Sequence, residues 1–127
     1  MGVHFDMSVK LEFHFDFGSP NTYYCHQVLP QIEERTGASF EYFPILLGGI
    51  FKATNNKPPM QQFEGVKNKP EYHALETERF IKKHNITRFK MNPYFPINTL
   101  HIMRGAISVS YTHLRAHETR HDLVCRL

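Results

Sequence analysis

The sequence predicts an α/β fold, and three observations carry that reading. Val9–Phe17 reads Val-Lys-Leu-Glu-Phe-His-Phe-Asp-Phe, with an apolar side chain at every odd position. That is the period of a strand with one buried face. A second run, Ala38–Ile45, holds Phe40, Tyr42 and Pro44 and reads as another strand, with the proline favouring a sheet edge. Between them lies a segment of helical length, so the pattern predicts a right-handed crossover joining two parallel strands.

The connecting helix has its signals in place. Ser19 is a favoured N-cap and Pro20 a favoured first helical residue. Tyr24, Val28, Leu29 and Ile32 form one apolar stripe, Pro30 is expected to kink the helix, and Gly37 to stop it. After the second strand, Leu46–Thr54 reads as a short helix or turn, and Asn55-Asn-Lys-Pro-Pro59 as loop. Glu71–His84 has the length and composition of a helix, with Tyr72, Leu75 and Phe80 as buried candidates. Asn92-Pro-Tyr-Phe-Pro96 reads as an irregular aromatic loop, and Asn98–Ile107 begins another helix. The predicted order is strand, helix, strand, then helices.

Composition excludes several classes. The chain has 127 residues, which suits one domain, and 41% of them are hydrophobic, too many for a disordered chain. Fifteen Lys+Arg against 12 Asp+Glu leave a net charge of +3, and no basic run forms a patch for nucleic acid. Apolar runs fall far short of the ~20 residues that span a bilayer, so no membrane role is expected. The opening Met-Gly-Val-His-Phe-Asp-Met-Ser lacks the features of a signal peptide, and two cysteines make no disulfide framework. A cytoplasmic protein is the expectation.

The tail reads differently. His113, His117, His121 and Cys125 recur every fourth residue and on a helix would share one face, a set able to bind zinc. However, Val109–Thr119 resembles one reading frame of a transposase-based sequencing adapter, and Leu123–Leu127 resembles the flow-cell end that follows it. Residues 109–127 are therefore set aside as an adapter-derived tail, with no metal expected there. Cys25 is then the single native thiol.

Ser19 is the position that could carry chemistry. A hydroxyl in the first turn of a helix lies beside unpaired N–H groups and the positive end of the helix dipole. Such a place can hold a thiolate or carboxylate. The plain alternative is a helix cap. No Gly-x-Ser-x-Gly elbow is present, and His14 or His26 alone makes no triad.

Three ordered motifs add a resemblance. Phe13-His-Phe-Asp-Phe-Gly-Ser-Pro20, Leu46-Leu-Gly-Gly-Ile-Phe-Lys-Ala-Thr-Asn-Asn-Lys-Pro-Pro59, and Phe95-Pro-Ile-Asn-Thr-Leu100 with Met103-Arg104-Gly105 resemble the 2-hydroxychromene-2-carboxylate isomerase family. That family is a branch of the DsbA-like thioredoxin-fold proteins that includes the kappa-class glutathione transferases. The resemblance implies a DsbA-type thioredoxin-like fold with a helical insertion. It implies that residues 1–108 are the N-terminal part of such a domain, truncated before the C-terminal strands and the cis-proline loop. Ser19-Pro20 stands where relatives with dithiol chemistry carry Cys-x-x-Cys, and Cys25, one turn on, is expected to pack in the helix.

The implied activity is a glutathione-dependent cis–trans isomerisation of an aromatic ring-cleavage product. The implied partner is a small aromatic carboxylate substrate, and the full-length protein could form a homodimer. By the resemblance Ser19 contacts the glutathione sulfur, Asn56 hydrogen-bonds ligand, and Lys52 pairs with the substrate carboxylate. Asn98 is a further substrate contact. The plain alternatives are a solvated lysine at 52, a turn residue at 56 and a helix cap at 98. Asn21 departs from the family, where an aromatic commonly follows Ser-Pro. Two rivals stand beside this reading, a kappa-type glutathione transferase and a non-catalytic thioredoxin-fold binding module. The 127-residue chain alone is expected to be inactive and barely stable, because two parallel strands cannot cover their own faces.

Overall fold

The computed structural model describes residues 10–111, with side chains through Val109. The order is β1 (Leu11–Phe15), α1 (Pro20–Thr36), β2 (Phe40–Pro44), α2 (Leu47–Ala53), α3 (Pro59–Gln62), α4 (Lys69–Lys83) and α5 (Leu100–Tyr111). β1 and β2 pair in parallel, with Leu11 beside Phe40, Phe13 beside Tyr42 and Phe15 beside Pro44. The protein is thus mixed α/β, with a small parallel sheet and helices around it, an arrangement compatible with part of a thioredoxin-like domain.

Strand alternation sets the two faces of the sheet. Leu11, Phe13, Phe15, Phe40 and Tyr42 are half-buried, while Glu12, His14, Glu41 and Phe43 are exposed. On the covered face the Tyr42 ring meets Phe13 edge-on at 5.1 Å and Phe15 at 5.9 Å. Such ring pairs add to what area burial alone contributes. Both strands are shorter than the alternating runs suggest, because Phe17 and Gly18 already belong to the turn into α1.

The solvent face sets like charges side by side, since Glu12 is in register with Glu41. Lys10 relieves that repulsion, its Nζ lying 2.8 Å from Glu41 and 3.3 Å from Glu12, and His14 lies 2.9 Å from Glu12. The His14 hydrogen bond first, and then Lys10, hold the Glu12 carboxyl below the usual carboxylate range. A carboxyl lowered by folding stabilises the fold above its unfolded pKa and ceases to do so as pH falls through its folded value. Lys10→Met is therefore expected to lower the urea midpoint slightly at neutral pH and not at all in acid, where Glu12 is protonated. A deficit that persists in acid would show that the lysine does not act through these ion pairs.

α1 is capped at both ends as the sequence indicates. Ser19 is its N-cap, with Oγ accepting the Thr22 N–H at 3.3 Å, and Gly37 takes a left-handed φ of 72° and donates its N–H to the Glu33 carbonyl. The helix runs on through Pro30 to Thr36. Tyr24 and Leu29 are buried. Tyr24 packs against Phe89 at 4.8 Å and Phe80 at 6.2 Å, joining α1 to α4 and the loop beyond it.

Three expectations change. Tyr72 and Leu75 are 51% and 41% exposed, and α4 buries no residue completely, because among the described residues its covered side is the C-terminal end around Phe80. Cys25 is exposed on α1 rather than packed, since no described element lies over it. Pro59 opens a one-turn helix, α3, where loop was expected to continue. The Phe95–Pro96 peptide is cis within the aromatic loop. α5 continues to Tyr111, past the start of the tail, and His113, His117, His121 and Cys125 lie outside the described residues. Among the described residues no helix is long and apolar enough to cross a membrane.

Candidate functional site

The site is built at the exit from β1. Asp16 is 4% exposed, although the alternation of β1 carried one residue further would turn it to solvent. The strand has ended at Phe15, and the carboxylate folds back into the junction. Its Oδ1 accepts the Gly18 N–H at 2.8 Å, and its Oδ2 accepts the N–H of Leu47, the first residue of α2, also at 2.8 Å. Its backbone carbonyl accepts the Ser19 N–H at 3.0 Å. One residue thus ties the end of β1 to the start of α1 and, across the sheet, to α2. Burial of a carboxylate is tolerable because both oxygens are engaged by backbone donors.

Gly18 is required by closeness. A Cβ at this position would stand 2.9 Å from the Thr99 Cγ2 and 3.3 Å from the Asp16 Oδ1. Thr99, 6% exposed, leads into α5, and its carbonyl accepts the Met103 N–H at 2.9 Å. The turn after β1 therefore fits tightly between the Asp16 carboxylate and the threonine that precedes α5.

A cleft of about 360 Å³ opens beside this junction. Phe13, Phe15, Phe17, Tyr23, Tyr42, Phe89 and Phe95 give it aromatic walls, and Asp16, Ser19, Thr22, His26, Arg88, Lys90 and Asn92 bring polar groups to it. The volume lies within the range of small-molecule sites, as does the mix of apolar walls and a few polar groups. Ser19 sits at the N-terminus of α1, where backbone donors and the helix dipole favour negative charge. Because its Oγ serves the Thr22 N–H as an acceptor, its own O–H can donate toward the cleft. Phe89, set against Tyr23 at 5.6 Å and Tyr24, places the exposed Arg88 and Lys90 at the rim.

Of the four residues singled out in the sequence, Ser19 alone lines this cleft. Lys52 is exposed near the end of α2. Asn56 is exposed, and its Oδ1 accepts the Lys57 N–H at 2.8 Å. Asn98 is exposed too, with its Oδ1 accepting the Leu100 N–H at 3.0 Å, a bond that starts α5.

Sequence reasoning passed over Asp16, Arg88, Lys90 and the pair His26–Tyr42. Asp16 had a local signal, since an aspartate two residues before a glycine commonly bonds that residue's N–H. The others had none, because Tyr42 and His26 meet only when α1 is laid on the sheet. Among the described residues no three His, Cys, Asp or Glu side chains gather as a metal site would need.

Part of this chain is similar to a glutathione transferase. Over 51 residues it is 33% identical to glutathione S-transferase kappa 1 of Caenorhabditis elegans, a stretch covering 39% of this chain and 23% of the worm protein. The match thus spans about a quarter of that relative's length. No protein-family model matches the chain, and no solved structure matches it.

Proposed function

We propose that the full-length protein is a glutathione-dependent isomerase of the 2-hydroxychromene-2-carboxylate isomerase type, with a DsbA-like thioredoxin fold and a cytoplasmic location. In this reading residues 1–108 are the N-terminal part of the domain and residues 109–127 an adapter-derived tail, so the 127-residue chain itself is inactive. The observation that carries the proposal is the place of Ser19, at the mouth of a helix N-terminus and on the wall of an aromatic cleft.

Glutathione, when bound, supplies a thiolate that adds to a conjugated double bond and leaves after rotation about it. The cleft suits that co-substrate: an O–H donor and a positive helix end for the sulfur, and Arg88 and Lys90 at the rim for carboxylates. Ser19 donates its hydroxyl proton as a hydrogen bond and so favours the ionised thiol. The aromatic walls hold a flat, conjugated partner. Lys52, Asn56 and Asn98, which lie outside the cleft, are proposed as outer contacts to ligand and substrate carboxylate.

The test is Ser19→Ala in the full-length protein. A hydrogen bond to a charged group contributes about 1.5–3 kcal/mol, so the glutathione-dependent rate should fall roughly ten- to a hundredfold. The pH at which bound glutathione ionises should rise, because the thiolate loses a donor. If rate and thiol ionisation are both unchanged, Ser19 is a helix cap only and the reading falls.

A second reading, transfer of glutathione onto an electrophile, is favoured by the name of the worm relative. Glutathione is regenerated in isomerisation and consumed one for one in transfer, so following free thiol during turnover separates the two.

A further inference from the structure

Arg88 and Lys90 both line the cleft, and among the described residues neither is in an ion pair. Lys10 shows the contrast, since its ammonium is committed to Glu41 and Glu12. Asp16, the carboxylate of the same cleft, bonds instead to the Gly18 and Leu47 N–H groups.

The two cations are carried by a held segment. α4 ends at Lys83, the chain turns through Asn85 at a left-handed φ of 51°, and the Ile86 N–H returns to the Ile81 carbonyl at 3.0 Å. Ile86 is 6% exposed. Phe89, between the cations in the chain, sets its ring 4.8 Å from that of Tyr24 and 5.6 Å from that of Tyr23. Beyond Lys90, Asn92 accepts the Tyr94 N–H through Oδ1 at 2.9 Å and the Phe95 N–H through its carbonyl at 3.1 Å. Arg88 and Lys90 therefore each start from backbone anchored on both sides.

Fixed cations beside aromatic walls suit a flat aromatic acid. The Tyr23 and Phe89 rings offer surface to a conjugated ring, and a guanidinium takes both oxygens of a carboxylate through its planar fork. Lys90 adds a second charge without a fixed direction. Glutathione has carboxylates too, but its peptide chain gains little from aromatic walls. Lys52 is exposed on α2 and does not line the cleft. We propose that Arg88 and Lys90, ahead of Lys52, form the carboxylate subsite that selects an aromatic acid in this cleft. The subsite rests on the function proposed above for what becomes of the acid, but its test needs no turnover.

The probe is 2-naphthoate, titrated by calorimetry onto the full-length protein. The control is 2-naphthamide, which has the same shape and no charge. The acid should bind more tightly than the amide, and added salt should weaken the acid alone, because exposed charges are screened. Arg88→Gln and Lys90→Gln should each weaken naphthoate roughly three- to tenfold and leave naphthamide unchanged. Lys52→Gln should cost less than about twofold, as an exposed outer charge does. The double variant of Arg88 and Lys90 should bind acid and amide alike.

Equal losses for acid and amide in Arg88→Gln and Lys90→Gln would overturn the proposal, because the two side chains would then only pack. A loss in Lys52→Gln as large as in Arg88→Gln, or no naphthoate binding by the unaltered protein, would overturn it as well. S-methylglutathione forms a third arm: if it alone loses affinity in the two variants, the cations serve the co-substrate and the proposal fails. The naphthoate arm contains no thiol, so its outcome is independent of whether Ser19→Ala alters turnover.

Discussion

Asp16→Ala is expected to lower stability by about 3–5 kcal/mol, because two part-buried backbone N–H groups lose a charged acceptor together. The donors are those of Gly18 and Leu47, each 2.8 Å from a different carboxylate oxygen. Domains carry only roughly 5–15 kcal/mol in all, so a large share of the margin would go. Asp16→Asn should fall between, since a carboxamide accepts from one N–H but turns its own NH2 toward the other. Amide exchange reads the effect locally: protection at Gly18 and Leu47 should fall together in the alanine variant, and at one of the two in the asparagine variant. Unchanged protection at both would mean that the junction is held by packing instead.

Gly18→Ala is expected to cost about 1–3 kcal/mol by overpacking. The new methyl would press on the Thr99 Cγ2 at 2.9 Å and the Asp16 Oδ1 at 3.3 Å. Thr99 has little room to turn, since it is buried and its carbonyl is bonded to the Met103 N–H in the first turn of α5. Thr99→Ser removes the closest atom, so the double variant should recover much of the loss, although Thr99→Ser alone costs about 0.5–1.5 kcal/mol for a buried methyl. Urea midpoints of the four proteins give the coupling directly. If the two effects simply add, the turn relaxes by backbone movement and the closeness is not limiting. A shift here would also move Ser19, which is joined to Gly18 in the chain.

Much of the fold was legible in the sequence. Strict alternation in Val9–Phe17 located β1, and Ser19, Pro20 and Gly37 marked both ends of α1, because caps and strand faces depend on residues within a turn of one another. The parallel pairing followed from a helix-length connection between two strands. Less legible was which apolar residues are covered. Tyr72 and Leu75 carry the right spacing for burial, yet burial needs a neighbouring surface that α4's own sequence does not specify.

The candidate site divides along the same line. Ser19 at a helix N-terminus, with its oxygen accepting the Thr22 N–H, is a local device and could be read from a strand, a glycine, a serine and a proline in succession. The cleft beside it, the buried Asp16 bond to Leu47 thirty-one positions along the chain, and the meeting of His26 with Tyr42 are products of packing α1 and α2 on the sheet. Hydrogen bonds between distant residues form only where tertiary packing brings donor and acceptor within about 3 Å, and no spacing in the chain encodes that distance.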